Sequence, residues 1–107
     1  MPRRAKLTLV LAPEAVEHLD WIEAKYHASI QRAIDEQLCY TPEVPTRNRK
    51  SLEQPAPFDA TWELRCGLQN RFRVFYDVVS DANTARVLAI GIKERDRLII
   101  GGEEFRQ

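Results

Sequence analysis

Arg65, Arg73 and Lys93 fall in three segments that read as β-strands, and strand alternation turns all three side chains to one face of a sheet. In Thr61–Cys66, the residues Trp62, Leu64 and Cys66 point one way, and Glu63 and Arg65 the other. In Arg71–Val78, Phe72, Val74, Tyr76 and Val78 share a face opposite Arg71, Arg73, Phe75 and Asp77. Joining these strands through a three-residue loop, Leu68–Asn70, sets Gly67 opposite Arg71 and Arg65 opposite Arg73. In the next strand Leu88, Ile90 and Ile92 continue the apolar face, while Val87, Ala89, Gly91 and Lys93 take the other. Long cationic side chains around the small Ala89 and Gly91 make a shallow positive trough. Like charges directly across a ladder cost stability unless something offsets them. Either Glu63 and Asp77 neutralise the arginines, or the face receives an anion. Phosphate is the natural ligand for fork-shaped guanidinium groups. Glu63, on the same face, is placed for a general base or a salt bridge.

The elements that must position these residues follow from periodicity. Residues 5–11 are apolar and β-favouring and predict a first strand. Pro13 and Glu14 suit a helix start, and Val16, Leu19, Ile22 and Tyr26 recur three or four apart, predicting a helix to about Tyr26-His27. A second helix starts near Ala28-Ser29, carries Ile30, Ala33, Ile34, Gln37 and Leu38 on one face, and stops at Thr41-Pro42. So short a connection predicts an antiparallel helical hairpin. Residues 42–60, with four prolines and the cluster Arg47-Asn48-Arg49-Lys50, read as a long functional loop. Beyond Lys93, Leu98-Ile99-Ile100 could form a short strand before Gly101-Gly102 turns the tail. The order β-α-α-β-β-β predicts an α+β domain spanning residues 1–107, an antiparallel sheet with both helices on one face.

The 107 residues carry 16 Lys+Arg and 16 Asp+Glu, a formal net charge of zero. That zero hides a polarity. Residues 13–43 hold seven acids against two bases, and residues 44–76 hold six bases against three acids. Arg3, Arg4 and Lys6 add positive charge at the N-terminus. For binding, the local field counts for more than the sum. No apolar run approaches the roughly 18 residues of a membrane span, and the apolar stretch after Arg3-Arg4 ends in Pro13-Glu14 without a cleavage site. A cytoplasmic location is expected. Cys39 and Cys66 lack metal-ligand spacing and read as reduced, structural thiols. His18 and His27, nine apart, read as surface histidines, and no metal or cofactor is expected. Trp62, Phe72 and Tyr76 read as core, and Trp21, beside the apolar stripe, reads as packing rather than base stacking.

Trp62-Glu63-Leu64-Arg65-Cys66-Gly67, Arg71-Phe72-Arg73-Val74-Phe75-Tyr76-Asp77-Val78 and Leu88-Ala89-Ile90-Gly91-Ile92-Lys93-Glu94-Arg95, taken in order, resemble the last three strands of the RelE/ParE toxin superfamily. Upstream, the strand, the two helices and Lys50-Ser51-Leu52 match as well. The resemblance implies the toxin of a type II toxin–antitoxin pair, with a cognate antitoxin as partner. RelE-like members cleave mRNA in the ribosomal A site; ParE-like members poison DNA gyrase. It implies that Arg73 holds the scissile phosphate, with Arg65 and Lys93 as further catalytic cations. Arg47, Arg49, Lys50, Arg71 and Arg95 would bind RNA phosphates, and Glu63 could serve as base. The chain departs from the family in one respect. Active nucleases of this type usually carry a tyrosine or histidine after the basic strand end, where this chain has Arg97-Leu98-Ile99-Ile100. An mRNA interferase, a gyrase inhibitor and a degenerate member that binds only its antitoxin all stay open.

Overall fold

The structure, a computed structural model, describes residues 6–106. Arg3, Arg4 and Ala5, which the sequence reading used, lie outside the described residues. The elements are β1 (Thr8–Leu11), α1 (Pro13–Leu19), α2 (His27–Leu38), β2 (Arg49–Ser51), β3 (Trp62–Cys66), β4 (Phe72–Val79), β5 (Thr84–Glu94), β6 (Arg97–Ile100) and β7 (Glu103–Phe105). The expected α+β arrangement is present. The short strand expected at Leu98-Ile99-Ile100 is present as β6, and two stretches read as irregular contribute strands as well: β2 lies inside the 42–60 connector, and β7 follows the Gly101-Gly102 turn to pair with β6.

Strands β2 to β7 form one antiparallel sheet in sequence order, and β1 pairs parallel with β5. The β3–β4 hairpin has the expected register, with Arg65 opposite Arg73 and residues Leu68–Asn70 as its loop. Gly67 begins that turn at φ 80°, and a Cβ there would come within 2.4 Å of the Phe72 ring, so only glycine fits. The β6–β7 turn is Gly101-Gly102, both at positive φ, the conformation that a two-residue hairpin of matching twist requires.

Both helices pack on one face of the sheet. Ile30, Ile34 and Leu38, spaced four apart on α2, join Leu64, Val74, Tyr76, Val87 and Ile90 in a single apolar cluster with Ala15 and Ile22. Each aliphatic side chain buried there contributes about 1.5–3 kcal/mol. α1 is shorter than expected. It ends at Leu19, and a turn of 3-10 helix, Ala24–Tyr26, leads into α2. Its inward residues are Ala15 and His18, one position off the predicted stripe, so Val16 is half exposed.

The β4–β5 pairing shifts by one residue. Phe75 lies opposite Ala89, yet Tyr76 lies opposite Val87, so Leu88 is an inserted, bulged residue. The bulge corrects the expected facing: Ala85 and Val87 enter the helix-side core, and Leu88 joins Phe75, Ala89 and Ile100 on the opposite side.

β5 also changes partner along one edge, from β1 at Thr84–Val87 to β6 at Gly91–Glu94. His18 reaches into the notch between them, where its Nδ1 accepts the Ile90 backbone N–H at 3.2 Å. The ring also meets Phe58 edge-on. His18 is therefore a buried structural residue rather than a surface one, and burial lowers its pKa. His27 is half-buried, its Nε2 donating to the Ile22 carbonyl at 2.7 Å.

Candidate phosphate-binding cleft

The sheet face opposite the helices carries a cleft of about 470 Å³. Four of the expected cations line it: Lys50 from β2, Arg65 from β3, Arg73 from β4 and Lys93 from β5. Cross-strand pairing brings them together. Lys50 lies opposite Glu63, Arg65 opposite Arg73, and Arg73 opposite Gly91. Because Gly91 has no side chain, nothing at that position competes with Arg73 for space.

Glu63 sits at the centre of the group and is only 5% exposed. Its Oε1 accepts from Arg73 Nη1 at 2.9 Å; Lys50 Nζ stands 3.7 Å from Oε2 and Arg65 Nε 3.9 Å from Oε1. Arg73 Nε also donates to the Asn70 carbonyl at 3.0 Å, so two bonds fix the plane of its guanidinium. One buried carboxylate among three cations lets like charges stand across the ladder and leaves the group net positive. The Arg65 Nε–H is itself buried with no hydrogen-bond partner. Of the two predicted neutralising acids, only Glu63 does so; Asp77 forms a bidentate pair with Arg86 farther along the hairpin.

The remaining predicted phosphate ligands lie elsewhere. Arg49 corrects the expectation most clearly. It is buried, with Nη1 donating to the Gln37 and Thr41 carbonyls at 2.5 and 2.7 Å, so it ties down the C-terminal end of α2. Arg49 pairs with Leu64, and alternation along β2 sends it to the helix side while Lys50 goes to the cleft. Arg71 stacks against the Tyr26 and Phe72 rings on that same helix side, 5.8 and 5.6 Å from their centroids. Arg47 is exposed in the turn before β2, and Arg95 occupies the β5–β6 turn at φ 56°; neither lines the cleft.

No tyrosine or histidine lines the cleft among the described residues. Tyr76 belongs to the helix-side core, its hydroxyl donating to the Pro42 carbonyl at 2.5 Å, and burial raises its pKa. Cys66 is likewise inward, its thiol pushed up to about 11 by burial despite the Arg73 charge. Both are poor proton donors or nucleophiles here. The described residues hold no group of His, Cys, Asp and Glu that could ligate a metal. None of the helices is long and apolar enough to cross a membrane.

Sequence reasoning missed the far wall of the cleft, which Leu98 and Phe105 of the β6–β7 hairpin supply together with the turn residue Asp96. The diagnostic signal was the Gly101-Gly102 pair followed by Glu103-Glu104-Phe105, a two-residue hairpin turn with a strand after it.

No protein-family model matches the chain, and no curated protein matches it significantly. A search of solved structures finds similarity to a chain of the toxin–antitoxin complex RelBE2 from Mycobacterium tuberculosis. The TM-score is 0.67 at 17% sequence identity, covering 87% of this chain and 98% of that one. At that identity the likeness is one of fold. It agrees with the resemblance carried by the strand motifs.

Proposed function

We propose that this protein is the toxin of a toxin–antitoxin pair and inhibits translation by cleaving mRNA in the cationic cleft. The observation that carries the reading is the Glu63-centred group. Three basic side chains converge from three strands on one buried carboxylate, with Lys93 beside them, on the face that the helices leave open. In the reaction the RNA 2′-hydroxyl gives its proton to a water molecule as its oxygen attacks the adjacent phosphorus, the bond from phosphorus to the 5′-oxygen breaks, and that oxygen departs with a proton, leaving a 2′,3′-cyclic phosphate. Arg73 and Arg65 stabilise the charge that grows on the non-bridging oxygens. Lys50 and Lys93 supply the ammonium groups from which the leaving oxygen takes its proton. Glu63 orients Arg73 and does not act as the base, because its carboxylate is already engaged.

The partner that holds this activity in check is an antitoxin whose acidic segment covers the cleft. The structural likeness to a chain from a toxin–antitoxin complex supports that partner. One observation favours a second reading, in which the same fold inhibits DNA gyrase without cutting RNA: the cleft lacks a Tyr or His.

The test is induction of the protein without an antitoxin, followed by mapping of mRNA 5′ ends. Codon-phased cuts that disappear in Arg73→Ala support the nuclease. Intact mRNA with a DNA-damage response supports the gyrase reading. Full toxicity of Arg73→Ala removes the cleft from the mechanism.

A further inference from the structure

The cleft is not uniformly ionic. On β5, β6 and β7, paired positions run from Lys93 to Leu98 to Phe105, so the row that begins with an ammonium ends in an aromatic ring. One row away, Arg73 lies opposite Gly91 and Gly91 opposite Ile100. Leu98 and Ile100 lean across Gly91, where a Cβ would meet their carbons at 3.1 and 2.9 Å. Apolar side chains therefore cover the ladder position opposite Arg73, and Leu98 lines the same cleft as Arg73. Phe105 and Leu98 are half-buried, each presenting part of its surface to the cleft, and Phe75 underlies them. A site for phosphate alone needs no such wall.

Resting on the reading of the cleft as a phosphate site, we propose that it holds one whole nucleotide of RNA. The phosphate sits on Arg65, Arg73 and Lys93, and the base packs against Phe105 and Leu98. The volume suits this occupant. About 470 Å³ lies within the range of roughly 300–1,000 Å³ that small-molecule sites occupy. Charge suits it too, because the ligand is anionic at one end and flat and apolar at the other. Every base has a π-face, so the wall binds without choosing a base. Asp96, on the rim beyond Lys93, repels a phosphate placed there and thereby fixes the direction: phosphate toward Arg73, sugar and base toward β7. The β6–β7 hairpin is then a specificity element, selecting nucleotides over other phosphates.

The experiment is an NMR titration of the full chain at low salt with adenosine 5′-monophosphate, ribose 5-phosphate and inorganic phosphate. The expected result is binding of the nucleotide about tenfold more tightly than ribose 5-phosphate, from one aromatic–base stack. Phe105→Ser reduces that ratio to near one and leaves inorganic phosphate unchanged. Phe105→Trp, which keeps a flat ring, retains the ratio and its indole fluorescence is quenched by the nucleotide. Equal affinity for nucleotide and ribose phosphate in the wild-type chain overturns the base wall while leaving the phosphate site standing. So does a ratio unmoved in Phe105→Ser. Failure of all three ligands to shift resonances of Arg65, Arg73 or Lys93 overturns the phosphate site, and the base wall with it.

Discussion

The two faces of the sheet are built from alternate residues of the same strands and obey different rules. On the helix side, Leu64, Val74, Tyr76 and Ile90 are fully buried, and the arginine that enters, Arg49, donates through Nη1 to two backbone carbonyls. On the open side, charge is concentrated around Glu63, and a smaller apolar cluster of Phe75, Ala89, Ile100 and their neighbours lies beside it. One face is organised by exclusion of water. The other keeps a net positive charge facing solvent, and a single carboxylate makes that tolerable. The difference shows how one hairpin register can build a buried core and a cationic open face together, since moving either strand by one residue would exchange the two faces.

Substitutions that act on only one face put this contrast at risk. Leu64→Ala opens a cavity on the helix side and is expected to cost about 2–5 kcal/mol in chemical denaturation, with phosphate affinity in the cleft retained by the folded fraction. Arg73→Ala acts on the cleft. On the proposed nuclease mechanism it is expected to lower cleavage by about 10²–10³-fold in the folded fraction, as loss of one charge-stabilising donor does, and it should also lower the thermal unfolding midpoint, because it takes the hydrogen bond from the buried Glu63. If Leu64→Ala abolishes phosphate binding in molecules that remain folded, the two faces are not independent.

His18 tests the joint between them. Removing its ring in His18→Ala leaves the Ile90 N–H without a partner and should cost about 1–3 kcal/mol. The wild-type chain should also lose stability as pH falls from 7 toward 5.5. Burial holds the folded pKa of His18 below its unfolded value of 6.5, so the unfolded chain takes up the proton first. This loss begins near the unfolded pKa and continues until pH reaches the folded one. His18→Gln, which does not titrate, should show a flatter stability profile over that range. The smallest effect belongs to Arg95. Arg95→Gly relieves a side chain held at φ 56° and should stabilise the protein by about 0.5–1 kcal/mol without changing phosphate affinity, because Arg95 lies outside the cleft.

How much of this was legible in the sequence varied with how local the cause was. Arg65 opposite Arg73 follows from strict alternation in two strands and a three-residue loop, so the pairing at the heart of the cleft could be read directly. The bulge at Leu88 left no local mark: Val87-Leu88-Ala89 is apolar throughout, and only the packing against β4 decides which residue is extra. Arg49 was grouped with Arg47 and Lys50 because the cluster read as a loop. Once β2 is recognised as a strand paired to β3, alternation separates Arg49 from Lys50 at once. His18 was misplaced because α1 is only two turns long, too short for periodicity to fix its inward face. Its partner, Ile90, is distant in sequence and could not have been named.

The parallel pairing of β1 with β5 sets the order in which the molecule can be assembled. The hairpins from β3 to β7 join neighbours in sequence, and short loops close quickly. Thr8 must find Thr84, and His18 must find Ile90, across nearly the whole chain. The meander that carries the Glu63 group and its apolar wall is therefore favoured to form first, and the first strand is among the last pieces to dock. In kinetic terms, mutations in β3 and β4 should slow refolding, whereas mutations in β1 or at His18 should mainly hasten unfolding.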